Sequence, residues 1–230
     1  MRTIKIGLAL ATLGLLATAT PAAAAAPPET VDGLKAAVTA RIDARLAALA
    51  KDTATVSNSQ VLTDAHRGQL STVLSDSTSG LTALKAKVAT ETTVAALRED
   101  ATSMVNDYRV FLLLGPQVRL TTAGDFADRA VTRAQEAHDK LASAVAEKKA
   151  GGADTTAAEA DLAAMQAAIA SAQGHLDGQV AALLAMEPGP DGTAIRAGVS
   201  TARSGIGSAR ADLLTAATKG RAVLAFLHTT

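Results

Sequence analysis

From Val31 to Leu227 the apolar side chains recur every three or four positions, and no β-branched run alternates in the period of two that a strand needs. A chain patterned this way is committed to helices. Many seam positions carry Ala or Gly instead of Leu or Ile, and 55 of the 230 residues are alanine. Small seam residues let helix axes approach closely, but each buries little surface. A buried Leu contributes roughly 1.5–3 kcal/mol and an Ala far less, so length has to supply the buried area. The pattern predicts an all-α fold: an elongated, antiparallel, coiled-coil-like bundle of about five long helices without strands.

Capping and breaking residues divide the pattern. Val31, Leu34, Val38, Ile42, Leu46 and Leu49 form the seam of a first helix over roughly 30–51. The polar stretch from Lys51 to Gln60 separates it from a second helix, capped by Thr63 and lined by Leu70, Leu74, Leu81, Leu84 and Val88. The weak helix formers Ser75 to Gly80 mark a place for a bend. A third segment, 93–150, reads as one long kinked helix or two coaxial ones. Its seam passes from Val94, Leu97, Ala101, Met104, Tyr108 and Leu112 to Phe126, Ala130, Ala134, Ala137, Leu141 and Val145, and Gly115-Pro116 interrupts it. Asp154 or Thr155 opens a fourth helix lined by Leu162, Met165, Ile169, Ala172, Leu176, Val180 and Leu183. The break Glu187-Pro-Gly-Pro-Asp-Gly192 follows, and Asp191 caps a fifth helix.

The N-terminus has the form of an export signal. Arg2 and Lys5 precede an apolar stretch, Leu8–Ala19, and Pro21 with Ala22–Ala26 supplies small residues for cleavage. Residues 1–24 are therefore expected to be a signal peptide, cleaved near 24–26, and 27–230 a single helical-bundle domain. The alternative is an uncleaved anchor over Ile6–Ala26, a length that just spans a bilayer. Cleavage would remove two positive charges from a chain with 22 basic and 22 acidic residues, leaving it slightly acidic. No later segment is apolar enough for a membrane span.

The chemistry the composition excludes is extensive. Without Cys there is no thiol nucleophile, thiolate metal site or disulfide. A balanced charge argues against nucleic acid as partner, and one Tyr and three Phe make no base- or sugar-stacking platform. His66, His138, His175 and His228 show no metal-ligand spacing and are expected at the surface. Asp125–Arg129 and Glu136–Lys140 read as ordinary ion pairs on a helix face. There is no nucleophile elbow and no phosphate loop. The expectation is a protein without enzymatic activity, cofactor or metal.

Two features stand out as interaction candidates. The segment 106–119 holds the consecutive apolar run Val110–Leu114, which points all round a helix. A helix apolar on every side is buried on every side or meets a partner. Tyr108, Arg109, Phe111, Leu114, Pro116, Gln117 and Arg119 are the candidate contact residues there. The second feature is a basic stripe, Arg196, Arg203 and Arg210, spaced by seven. It is a solvated face, a set of partners for acids such as Asp161 or Glu159, or a site for an anionic polymer or lipid headgroup.

The strings Asp107-Tyr-Arg-Val-Phe111, Pro116-Gln-Val-Arg-Leu120, Ala123-Gly-Asp125 and Glu136-Ala-His-Asp-Lys-Leu141 resemble those of a group of secreted, Ala-rich helical proteins of actinobacteria. That resemblance implies export and helices but no activity. The sequence thus reads as an exported, non-enzymatic helical protein, secreted or cell-wall associated, that binds a protein or envelope partner. A bundle that opens around a lipid or other small ligand is the alternative. Heptad-like seams make a homodimer plausible.

Overall fold

A computed structural model describes residues 30–229; the export signal expected at 1–24 lies outside them. Every regular element among the described residues is helical, as the periodicity requires. In order they are α1 (Val31–Asn58), α2 (Asp64–Thr90), α3 (Val94–Asn106), a π-helical turn (Val110–Leu114), α4 (Gly115–Ala150), α5 (Thr156–Leu176), α6 (Gln179–Leu184) and α7 (Gly192–Thr229).

Most helix starts follow from caps legible in the sequence. The Thr30, Thr63 and Thr93 hydroxyls accept from the backbone N–H groups of Gly33, His66 and Ala96. Asp191 accepts from Thr193 and Ala194. Each such cap is worth about 1 kcal/mol. The fourth start differs in detail: Asp154 accepts from the Thr156 N–H, while the Thr155 hydroxyl donates to Glu159.

Four boundaries depart from expectation. Helix α1 continues seven residues past 51, because Val56 is buried and the Arg67 guanidinium donates to the Val56 and Ser59 carbonyls at 2.7 Å each, closing its C-terminal end. Helix α2 runs unbroken through Ser75–Gly80. Ser77 faces the core, and a side chain at Gly80 would meet the Tyr108 ring, so this glycine makes room for a neighbouring helix. The expected fourth helix is split, because Asp177 ends α5 and Gly178 takes a left-handed conformation, φ 68°, before α6.

The fourth departure is at the third segment. Its break lies at Asp107–Arg109, not at Gly115-Pro116. Arg109 is the one non-glycine residue with positive φ (42°) among those described. Its side chain offsets that strain: Nε donates to the Gly189 carbonyl at 2.7 Å, and one terminal nitrogen to the Pro190 carbonyl and to Asn106. Pro116 sits in the first turn of α4, where a missing N–H costs little.

Contacts define the layout. Lys35 reaches the Ala89 carbonyl and Arg67 the Val56 carbonyl, so α1 and α2 are antiparallel. Helix α3 returns along α2, and α4 continues in the same direction alongside α1. The distal part of α4 then packs with α5 and α7. One apolar core fills the α1–α2–α3 end and two more follow along α4–α5–α7. Helix α7, with 38 residues, is about 57 Å long. The bundle gains its buried surface by length, as its small seam residues require.

A buried carboxylate joins α3 to α2. Asp100 is buried, one of its oxygens lacks a hydrogen-bond partner, and the other accepts from Lys87. That bond, helped by the negative charge of Asp100, holds the Lys87 ammonium above its ordinary pKa. A cation whose pKa is raised on folding stabilises the fold at every pH below its unfolded value, and the contribution fades as pH rises through the folded one. Stability is therefore expected to fall in alkaline solution beyond the ordinary lysine range. Lys87→Gln should remove that alkaline step, read from denaturation midpoints across pH.

Candidate functional site

The π-helical turn decides what the apolar run does. Widening the helix by one residue per turn places Val110, Leu113 and Leu114 in the core. It leaves Phe111 58 % exposed. The run is thus mainly the central piece of the bundle. Of the candidate contact residues, Leu114, Pro116 and Gln117 are buried, and Tyr108 and Arg109 are half-buried. Leu114 in particular is core and not a contact surface. Two of the polar candidates act inside the fold. Arg109 holds the Gly189-Pro190 loop, and the Gln117 amide donates to the Leu183 and Met186 carbonyls at 2.9 and 3.0 Å, closing the end of α6. Phe111 and Arg119 remain at the surface.

The structure adds residues to those two. Phe126, expected on the seam of α4, is 60 % exposed. The buried seam passes instead through Val118, Thr121, Gly124, Asp125 and Ala127 towards Leu141 and Val145. Gly124 lies on it because a Val180 methyl occupies the space its Cβ would fill. Phe111, Arg119, Phe126 and Arg133 are spaced by eight, seven and seven, so with the widened turn they share one face.

That face continues onto α1. The Arg45 guanidinium lies 5.3 Å from the centroid of the Phe111 ring. Burial, and then the nearby charge of Arg41, lower the Arg45 pKa. Further along, Arg119 faces Asp52, whose pKa is raised by burial and partly drawn back by that cation. Val61, Phe126, Arg129, Ala130 and Arg133 then enclose a hollow of about 220 Å³, with Arg129 donating to the Gln60 carbonyl at 2.7 Å. Five arginines and two exposed phenylalanines thus follow the α1–α4 seam, with Asp52 facing Arg119 and Glu136 one turn beyond Arg133. The i, i+3 and i, i+7 arginines after Phe126 were the sequence signal for this strip.

A second constellation was missed because its members lie on different helices. Asp125, 2 % exposed, accepts from the Thr63 N–H at 2.8 Å and pairs with His66 Nδ1 at 2.7 Å. It makes these bonds in place of the expected pair with Arg129. His66 is therefore a half-buried partner of a buried acid, not a surface histidine. It separates two open clefts of about 500 and 530 Å³ against α6 and the α5–α6 break. Asp128 borders one of them, its pKa raised by burial and by Asp125. Among the described residues no three His, Asp or Glu side chains stand together as a metal site. The arrangement ties the start of α2 to the middle of α4.

Arg196, Arg203 and Arg210 are exposed on α7. The acids named as their partners are used elsewhere: Asp161 accepts from Lys219, and Glu159 from Lys149 and Thr155. No helix among the described residues is long and apolar enough to cross a membrane. Compared with protein-family models, curated proteins and solved structures, the chain matches none.

Proposed function

We propose that this is an exported, non-enzymatic helical protein that works by interaction at the cell envelope or outside the cell. The observation that carries this reading is the placement of Phe111 and Phe126. The chain has only three phenylalanines, and two of them lie more than half exposed on one face of the α4 segment. Aromatic side chains are enriched where proteins make contacts, whereas single exposed aliphatic residues are ordinary. The N-terminal charge and hydropathy pattern supports export. The hydrogen bonds of Arg109, Gln117, Asp125 and His66 support a scaffold role for the interior polar groups.

Expression in a bacterial host with the native N-terminus, followed by fractionation and native mass spectrometry, tests the reading. A mature mass beginning near Ala25, in the medium or envelope fraction and without a bound molecule, is the expected result. A mass still carrying Met1 would overturn cleavage and make residues 6–26 an anchor. An added mass of a few hundred daltons would replace the scaffold by a ligand-binding bundle.

A further inference from the structure

We infer that the strip along α1 and α4 docks the protein onto an anionic phospholipid surface, with Phe111 and Phe126 entering the headgroup–acyl boundary and Arg41, Arg45, Arg119, Arg129 and Arg133 engaging the phosphates. This deepens the envelope reading and rests on it for its setting, though not for its chemistry. The charge on the strip is predominantly positive. Asp52, half-buried, faces Arg119, and the exposed Glu136 stands one turn beyond Arg133 at the end of the strip. Three of the other cations face groups that are not acids: Arg45 sits on the Phe111 ring, Arg129 bonds a backbone carbonyl, and Arg41 and Arg45 repel each other. An isologous dimer through this face would set arginine against arginine, so a second copy is a poor occupant.

The aromatics choose among anionic partners. A water-soluble polyanion would satisfy the arginines and leave both rings in water. A bilayer interface accepts both, since rings bury at the acyl boundary while arginines reach the headgroups. The two rings lie fifteen residues apart, about 22 Å along the helix, so they can seat together on a flat surface and act additively. Because α4 stays folded in its bundle, this is attachment to a surface and not insertion of a span.

Flotation with lipid vesicles is the test, using protein recovered from the expressing bacterium and variants taken in the same processed form. Vesicles of about three parts phosphatidylcholine to one part phosphatidylglycerol should carry the protein in about 0.1 M salt, and phosphatidylcholine vesicles should not. Phe111→Ser with Phe126→Ser should weaken binding at least roughly tenfold. Arg41→Gln with Arg119→Gln and Arg133→Gln should weaken it roughly a hundredfold. Both variants should keep the parent circular dichroism, since these side chains are exposed. Arg196→Gln, Arg203→Gln and Arg210→Gln together should leave binding nearly unchanged. If the α7 variant loses binding while the strip variants keep it, the assignment is overturned in favour of the α7 stripe. If the protein fractionates with the envelope but floats with neither vesicle, the lipid occupant is overturned and a protein or wall polymer takes its place, with the envelope reading intact.

Discussion

Asp125→Ala is expected to lower the unfolding free energy by about 3 kcal/mol, measured by chemical denaturation followed by far-UV circular dichroism. The carboxylate is buried and accepts from two donors at once, the Thr63 N–H and His66. Bonds to a charged acceptor contribute roughly 1.5–3 kcal/mol each, and a buried donor left without a partner costs its own desolvation. Both donors belong to the start of α2, so removing the carboxylate also unties that end of α2 from α4. Asp125→Asn keeps an acceptor for one donor and should cost about 1 kcal/mol less than the alanine variant. An alanine variant within about 0.5 kcal/mol of the parent would show that water replaces the carboxylate and that the pairing holds nothing together.

Asp125 also shows where sequence reasoning stops. On its own helix it stands at i, i+4 from Arg129, and that spacing correctly marks residues on one face. It carries no information about the two donors some sixty positions earlier in the chain. The helix seams were legible for the opposite reason. Burial along Val38, Ile42 and Leu49, or along Ile195, Val199, Ala202, Ile206 and Ala209, depends on a period that each helix carries in itself. Thr63 and Asp191 were legible as caps because capping is settled within four residues.

The breaks divide along the same line. His175-Leu-Asp-Gly178 contains a usable local stop, a glycine after the last helical turn, hidden by the continuing seam at Val180 and Leu183. Arg109 had no local signal. Its left-handed conformation is held by carbonyls eighty positions away, at Gly189 and Pro190. Pro116 pointed to a break in the right neighbourhood but the wrong turn. By apolar character and spacing alone, Phe126 belongs to the seam. An exposed ring followed by arginines at i, i+3 and i, i+7 follows the logic of a surface, and the packing of α4 against α5 and α7 confirms that this face is left open.

The π-helical turn gives the second large effect, because it separates neighbouring residues of like hydropathy into core and surface. Leu113 is fully buried, and Phe111, two positions earlier, is more than half exposed. Leu113→Ala should lower the unfolding free energy by roughly 2–5 kcal/mol, from lost transfer energy and the cavity left behind. Phe111→Ala should change it by no more than about 0.5 kcal/mol, although it removes the larger side chain. A regular α-helix through the same residues would rotate the run and alter which of the five face the core, so the pair of variants tests the geometry directly. Equal losses at both positions would mean that the run is enclosed on all sides, and Phe111 would no longer be available to any partner. A large loss at Leu113 alone fixes Phe111 as a surface aromatic kept for a purpose other than stability.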